Sequence, residues 1–540
     1  MCKSESTRTS NSRVGTMRKN ILLVLPFAIG LFLMIYSWFL TYPLNVSSSN
    51  DVVFNHVSIY YWISLPFLLT SMFAAALTIK NNFLRWILSI GIVLTFYSLA
   101  YFYYTMATPD SLSFRGMNEY FFQTKSLDAS QLNHFYYQWP AYFILADVVT
   151  SVSGLSLASY EFLLYALIAF LLATVLYLYG TKKFANGGVI VVATFFFSIN
   201  GFLNYQSVPF SVALSLLFLL FLLGTREKSN TLIIAMIVLF SALLLTHLFV
   251  PVFLILYFLA RSIFDKNSGD KRLYRNLFLI TLVGYFLVQF TLARFSFDQI
   301  VLDITKPPIE SFSYLTSYSL SSAFSNPIYN TSQLFTRSVT ILFAGLCAAG
   351  FIFLFIKRNI NSLDKAILFA GAIYAGLGVV LNTLGWRAGA IAFVPISLGA
   401  AVLFQGKFRK LFTVIFLVSI VLVLFVPLHN SFNTDIEFQT KESYLLDNFF
   451  IDHYSWTNPG FVVADFRTAT YLTPKLTNYV YFQDWLTADQ KADAVLYTTQ
   501  MVDSGLGNYS SMESLSQGQG LNILYNDGFS QVLVKYNSGG

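Results

Sequence analysis

Long apolar segments separated by short polar gaps run through most of the chain, and about thirteen can be drawn before residue 428. A membrane-spanning helix needs ~20 mainly apolar residues; several segments are slightly shorter, so their boundaries are soft. The predicted fold class is therefore an α-helical polytopic membrane protein. The predicted spans are Ile21–Thr41, Val57–Ile79, Trp86–Tyr104, Phe162–Tyr179, Phe184–Ile199, Val208–Leu223, Thr231–Leu248, Phe249–Phe264, Leu277–Leu292, Val339–Ile356, Ala366–Leu381, Gly389–Phe404 and Leu411–Val426.

Basic residues cluster in every second gap between these segments. Arg18 and Lys19 precede the first segment, and Lys182 and Lys183 follow the fourth. Because basic loops are costly to translocate, they stay on the cytoplasmic side of a membrane. Of the 33 Lys and Arg residues, roughly 22 fall inside by this rule. The pattern predicts a multi-pass protein of the cell membrane, with its N-terminus in the cytoplasm and its C-terminus outside.

Composition also indicates a membrane protein and argues against a soluble domain. Of 540 residues, 56% are hydrophobic and 11% are charged, whereas a soluble domain carries roughly 25% charged residues. The net charge of +7 does not indicate a nucleic-acid partner. Most of the positive charge lies in the cytoplasmic gaps, and the tail after residue 428 is acidic by roughly seven charges. Membrane lipid is the surrounding partner that the composition predicts.

Breaks in the apolar pattern divide the chain into three regions. Residues 1–19, rich in Ser, Thr and Arg, are predicted to form a disordered cytosolic leader. Residues 20–427 form the transmembrane domain, with long external loops at 106–160 and 294–336. Within the first loop, Phe135–Val149 is rich in Tyr and Trp, which favours a helix lying at the membrane interface.

Residues 428–540 have the composition of a soluble domain, predicted to be a small α/β unit outside the cell membrane. The sequence predicts strands and a terminal hairpin closed by an Asp-Gly turn. The predicted elements are strands Phe461–Phe466 and Ala494–Met501, helix Thr487–Asp493, and a hairpin of Leu521–Tyr525, Asn526-Asp527-Gly528 and Gln531–Tyr536.

Two acidic residues of the first external loop are candidates for catalysis. Asp110 follows closely on a predicted span, where a carboxylate could act as a general base for an acceptor hydroxyl or bind a divalent metal. Its alternative role is a helix N-cap, because Pro109-Asp110-Ser111 follows a span and precedes a helix. Glu119 is the second candidate, and its alternative is a solvated position on a helix face.

Basic and polar residues near the outer membrane face are candidates for substrate binding. Positive charge is scarce on that side, and arginine binds phosphate through two parallel hydrogen bonds. Arg387, Arg115 and Arg294 are therefore candidate ligands for a lipid phosphate, with snorkelling to ordinary headgroups as the alternative for Arg387. His247, Tyr205 and Gln206 lie at external turns and could line a polar cleft. A plain turn or a hydrogen-bonded interface histidine is the alternative for these positions.

The order of these features resembles the GT-C-type integral-membrane glycosyltransferases, as in a generic prokaryotic or archaeal member. That superfamily has an acidic residue in the first large external loop and interfacial helices that end in an aromatic-Pro stretch. Asp110 and Tyr136-Tyr137-Gln138-Trp139-Pro140 look like that loop. Asn204-Tyr205-Gln206, Thr246-His247 and Trp386-Arg387 are similar to later parts. The Asp-Glu pair of mannosyltransferases and the Trp-Trp-Asp signature of oligosaccharyltransferases are absent, and the acidic loop follows the third span instead of the first.

The resemblance implies inverting sugar transfer at the outer membrane face. The donor would be a lipid-linked sugar on polyprenyl phosphate or diphosphate, and the acceptor is undefined. A carboxylate, Asp110 before Glu119, would deprotonate the acceptor hydroxyl while basic groups hold the leaving phosphate. Three alternatives stay open from the residues: a multi-pass transporter, a polysaccharide polymerase or ligase, and a catalytically inactive relative.

Overall fold

The structure of the protein is a computed structural model. It describes residues 24–42, 44, 53–79, 81–96, 98–102, 105–106, 109–127, 136–183, 209–224, 229–294, 352, 356, 362–380, 438–439, 446, 449–450, 462–464, 479–481, 494–498, 521–526 and 530–535. The α-helices in this part are α1 Val24–Thr41, α2 Val53–His56, α3 Ile59–Thr78, α4 Asn82–Phe96, α5 Pro109–Thr124, α6 Ala141–Ser153, α7 Leu157–Lys183, α8 Pro209–Gly224, α9 Asn230–Leu244, α10 Val250–Phe264, α11 Ser268–Thr291 and α12 Ser362–Val380.

Three helices are long and apolar enough to cross a membrane: α1, Ile59–Ala76 of α3, and α11. The bent pair Ala141–Ser153 and Leu157–Ile168 makes four if it is counted as one span. These numbers refer only to the described residues. They agree with the predicted helical membrane protein. The number of thirteen spans stays a prediction, because several of the predicted spans, among them 389–404 and 411–426, lie outside the described part.

Helix α11 begins at Ser268, well before the predicted apolar start at Leu277. Its N-cap is Asn267, whose side-chain oxygen accepts a hydrogen bond from the Gly269 amide at 3.0 Å. Asp270 lies in the first turn, where a negative charge interacts favourably with the helix dipole. The helix therefore begins before its apolar part, and hydropathy predicts only the part that is suited to the membrane.

The N-terminal helices pack closely through small and aromatic residues. A Cβ atom added at Gly30 of α1 would lie 2.8 Å from Leu68 of α3, so the two backbones approach closely only because this position is glycine. Trp38 at the end of α1 donates a hydrogen bond to the Tyr101 carbonyl at 3.1 Å. The Tyr61 and Ser98 hydroxyls are 3.2 Å apart, joining α3 to the 3-10 helix Ser98–Phe102.

Helix α10 lies inside the bundle and packs against α11 and α12. It is mainly apolar before Arg261, and most of its residues are buried, as expected for a helix enclosed by others. In contrast, the outward face of α11 leaves Val283 and Leu287 exposed at 65% and 64%. An apolar face of this kind suits contact with lipid.

Helices α9 and α10 are separated by a tight buried turn, Leu245–Phe249. The sequence predicts this division near His247, and the structure agrees. Each helix has 15 residues, or ~22 Å at 1.5 Å per residue. Non-helical backbone within a membrane is tolerated when protein surrounds it. Thr246 through Val250 are all buried, so this turn meets that condition.

Helices α6 and α7 meet at a sharp bend of 112°. Gly154 ends α6 with φ +69°, a left-handed conformation that glycine adopts without strain. The inner face of α6 buries Tyr142 and Phe143, while Val148 and Val152 on the opposite face are 52% and 85% exposed. This steep angle and the exposed apolar face fit a helix lying along the membrane surface, as predicted for Phe135–Val149.

Short strands occur just before α5 and in the tail. They are β1 Thr105–Met106, β2 Phe438–Gln439, β3 Val462–Ala464, β4 Tyr479–Tyr481, β5 Ala494–Thr498, β6 Leu521–Asn526 and β7 Ser530–Lys535. Strands β1 and β2 pair antiparallel. The other five form a mixed sheet of order β4-β3-β5-β7-β6, in which β3 is parallel to β4 and β5, and β7 is antiparallel to β5 and β6.

The pairing of β6 with β7 coincides with the predicted terminal hairpin, and β3 and β5 lie within the predicted strands. The turn Asp527-Gly528 and the predicted helix Thr487–Asp493 are outside the described residues. An α/β domain that folds independently therefore stays a prediction for residues 428–540.

Candidate functional site

Helix α5 carries both predicted catalytic acids. It begins at Pro109, so Asp110 is the second residue of the helix and not its N-cap. Proline is favoured at the first helical position because the missing N–H group has no acceptor there. The alternative prediction of a capping role for Asp110 is therefore wrong. The second helical position lies near the positive end of the helix dipole.

A buried ion pair joins α5 to the start of α7. The Arg115 Nε atom donates to both carboxylate oxygens of Glu161, at 3.1 Å and 3.0 Å, and Nη2 donates to Oε2. Both side chains are 1% exposed. This bidentate arrangement is the strongest geometry available to a guanidinium and a carboxylate. The predicted role of Arg115 as a phosphate ligand would require this pair to open.

Glu119 lies one turn beyond Arg115 on α5 and is partly buried. Its carboxylate and that of Glu161 are close enough to repel each other electrostatically. Glu119 is therefore not the fully solvated residue of the alternative prediction. Two acids and one arginine are brought together at this junction of α5 and α7.

Aromatic side chains hold the other side of α5. The Tyr137 hydroxyl donates a hydrogen bond to the Met117 carbonyl of α5. Burial raises the pKa of the Tyr137 phenol, with a smaller contribution from Tyr120, so Tyr137 stays a neutral donor near pH 7. Phe114 packs edge-on against Tyr136 at 4.7 Å between ring centroids. The aromatic-Pro stretch thus fixes the helix that carries the candidate acids.

A second, exposed ion pair lies at the end of the same loop. Lys125 Nζ is 2.7 Å from the Asp147 carboxylate of α6, with the two side chains 59% and 24% exposed. The Lys125 ammonium also lies 5.6 Å from the centre of the Phe122 ring. An exposed pair of this kind contributes little to stability, ~0–1 kcal/mol.

His247 lies in the buried turn between α9 and α10. Its Nδ1 atom accepts a hydrogen bond from the Phe249 amide at 3.1 Å, and its ring packs edge-on against Phe210 of α8 at 5.4 Å. This contact agrees with the hydrogen bond of the alternative prediction, while the position of His247 at the membrane interface stays a prediction. In the same turn, the Leu245 carbonyl accepts a hydrogen bond from the Ala141 amide at 2.9 Å. The His247 turn and the start of α6, in the predicted first external loop, are thereby in direct contact.

The remaining predicted binding residues are Arg294, Arg387, Tyr205 and Gln206. Arg294 follows the end of α11 and is exposed. Arg387, Tyr205 and Gln206 lie outside the described residues. In the part of the chain that the structure describes, no three His, Cys, Asp or Glu side chains form a group that could hold a metal ion.

Sequence reasoning missed Glu161, although a signal for it exists. It is the only acidic residue between Asp147 and Glu227, and it immediately precedes a predicted span. A lone acid beside a membrane segment usually has a specific partner or a function. Its partner, Arg115, could not be found from spacing, because the two residues belong to different helices.

No protein-family model matches the chain, and no curated protein matches it significantly. What the protein does is therefore inferred from its own residues and geometry.

Proposed function

We propose that the protein is a membrane glycosyltransferase that moves a sugar from a polyprenyl-phosphate-linked donor to an acceptor at the outer membrane face. The observation that carries this proposal concerns the predicted first external loop, which bears Asp110 and Glu119. This loop contacts two other segments that are also predicted to be external. Strand β1, just before α5, pairs with β2 of the tail. The Ala141 amide that begins α6 binds the carbonyl of Leu245. A site built this way faces one side of the membrane, where a lipid-linked sugar would be presented.

Other contacts support the same topology. The Ser58 amide donates to the Thr41 hydroxyl at 3.2 Å, and both residues lie at predicted external ends. The Tyr177 hydroxyl donates to the Asn82 carbonyl, and both lie at predicted cytoplasmic ends. Each of these bonds joins segments that the positive-inside rule assigns to the same side of the membrane.

Each candidate residue has a distinct role in this proposal. Asp110 is the base that accepts the proton of the acceptor hydroxyl as its oxygen attacks the sugar carbon and the lipid phosphate leaves. Glu119 is the second candidate base. Arg387, with Arg294, stabilises the charge on the departing phosphate. The Arg115–Glu161 pair holds α5 in place, and His247, Tyr205 and Gln206 border the cleft.

Topology is tested by labelling single cysteines in a background with Cys2 and Cys347 replaced by Ser. Ser153 and Ser229 are a matched pair, because both are exposed and both lie at a helix terminus. We expect Ser153→Cys to react with an impermeant thiol reagent on intact cells, and Ser229→Cys to react only after permeabilisation. Ser516→Cys in the tail should react like Ser153→Cys. Labelling of Ser229→Cys alone on intact cells would invert the topology and exclude an outer-face enzyme.

Donor use is tested with the purified protein in lipid nanodiscs and a radiolabelled polyprenyl-phosphate hexose. Wild type should bind this donor and release polyprenyl phosphate. Arg387→Lys should weaken donor binding, because an ammonium cannot reproduce the two parallel bonds of a guanidinium, and Arg387→Ala should weaken it further. Arg272→Lys, in a predicted cytoplasmic segment, is the control and should bind normally. Absence of donor binding to the wild type across a panel of hexoses would reject the proposed function. Unchanged affinity in both Arg387 variants would make Arg387 an interface anchor.

A further inference from the structure

Polar atoms without hydrogen-bond partners are concentrated around α5. Asn118 is fully buried, and neither its amide nitrogen nor its amide oxygen has a partner. The Trp139 indole N–H, just before α6, and the Tyr160 hydroxyl of α7 are also buried without a partner. Roughly 90% or more of buried polar groups in proteins are hydrogen-bonded. Polar groups of this kind, on α5 and on segments that contact it, are available to bind a polar ligand.

The position of Asn118 directs its amide toward the junction of α5 and α7. Asn118 follows Arg115 by three residues, so the two side chains lie on the same face of α5, one turn apart. Arg115 on that face contacts Glu161 of α7. Tyr160 is the residue next to Glu161. The face of α5 that carries Asn118 is therefore the face turned toward the start of α7.

Charge at this junction selects against a phosphate. The guanidinium of Arg115 already binds Glu161 through both carboxylate oxygens. Glu119 adds a further carboxylate that acts on Glu161. A phosphate placed here would lie near two carboxylates and one guanidinium that is already paired with Glu161. The repulsion between the phosphate and the carboxylates would therefore not be compensated. A neutral ligand fits the junction better.

We propose that the Asn118 amide binds hydroxyl groups of the sugar carried by the lipid donor, as a specificity-determining residue next to the Arg115–Glu161 pair. An amide presents a donor and an acceptor side by side, and neighbouring sugar hydroxyls present the complementary acceptor and donor. The indole N–H of Trp139 and the hydroxyl of Tyr160 can add bonds of the same kind. This assignment rests on the proposed function. The sugar of the donor binds at Asn118, and its phosphate binds at Arg387 and Arg294. Since Asn118 is enclosed, α5 must move relative to α7 when the sugar enters.

The experiment compares two lipids in nanodiscs, a polyprenyl-phosphate hexose and the same polyprenyl phosphate without sugar. Glucose, mannose, galactose and N-acetylglucosamine donors are each measured. Wild type should bind the preferred sugar-bearing lipid about tenfold more tightly than the bare phosphate, as one or two neutral hydrogen bonds provide. Asn118→Leu should lose this preference and keep its affinity for the bare phosphate. It should be at least as stable as wild type, because leucine replaces an amide without partners by an apolar group of similar size.

The matched control is Gln289→Leu in α11. Gln289 is also fully buried and neither atom of its amide has a partner, but it lies on a different helix. This variant should keep the sugar preference of the wild type. A preference retained in Asn118→Leu would show that the amide binds only an internal water, and would overturn the assignment. Equal binding of both lipids by the wild type would overturn the sugar site alone. Failure of both lipids to bind would reject the proposed function with it.

Discussion

Replacing Asp110 with Asn should lower the rate of sugar transfer by about 10²–10⁴-fold, the usual contribution of a general base. Asparagine has nearly the size of aspartate but cannot accept the acceptor's proton. Asp110 is the second residue of α5, where an uncharged amide removes only a small favourable interaction with the helix dipole. The variant should therefore insert and fold like the wild type, and the loss should be in turnover rather than in donor binding. The measurement is release of polyprenyl phosphate under single-turnover conditions.

Asp147→Asn is the matched control for this experiment. Asp147 is another carboxylate of the same external loop, and it forms an exposed pair with Lys125. Its replacement should leave turnover within a few-fold of wild type. Near-normal turnover of Asp110→Asn would reject Asp110 as the base. Glu119→Gln would then be the next variant to measure, since Glu119 lies on the same helix beside the Arg115–Glu161 pair.

Arg115→Met should destabilise the protein by about 3–5 kcal/mol, the usual cost of leaving a buried charge without its partner. Glu161 is 1% exposed and would keep its carboxylate in an apolar environment without the guanidinium. The double variant Arg115→Met/Glu161→Leu should recover most of this loss, because a buried pair replaced by apolar groups of similar size is often nearly neutral. The free energy of unfolding in mixed micelles, measured by denaturant titration, gives both values.

Lys125→Met provides the comparison for a solvated pair. It breaks the Lys125–Asp147 contact, in which Lys125 is 59% exposed, and should cost ~0–1 kcal/mol. An Arg115→Met variant no less stable than Lys125→Met would mean that Glu161 takes up a proton or finds another partner. In that case the pair would not be what holds α5 against α7.

Hydropathy and charge predict most of the described helices, because each of these helices has an apolar face that packs against other helices or suits contact with lipid. The break near His247 and the hairpin of β6 and β7 were also predictable, since both depend on local sequence. Hydropathy does not predict the start of α11 at Ser268, because the first residues of the helix are polar. Asn267 caps this polar part and allows the helix to begin there. The N-cap alternative for Asp110 failed for a related reason: Pro109 already occupies the first helical position.

The chemistry of the site was less predictable than the fold. Asp110 and Glu119 are predicted as catalytic acids because acids are rare near the predicted outer membrane face, and their role stays a prediction. The pairing of Arg115 with Glu161 depends on how α5 packs against α7, which no spacing along the chain reveals. The isolation of the Asn118 amide is likewise a property of tertiary packing. Both features depend on the tertiary structure.

The pairing of β1 with β2 has a consequence for biosynthesis. Thr105 and Met106 leave the ribosome long before Phe438 and Gln439, their partners across the ladder. At 5–20 residues per second, the intervening stretch of about 330 residues takes roughly 20–60 s to synthesise. During that interval the strand preceding α5 has no partner, while the segments from α5 to α12 are synthesised. The first external loop is thus completed only when the last part of the chain arrives.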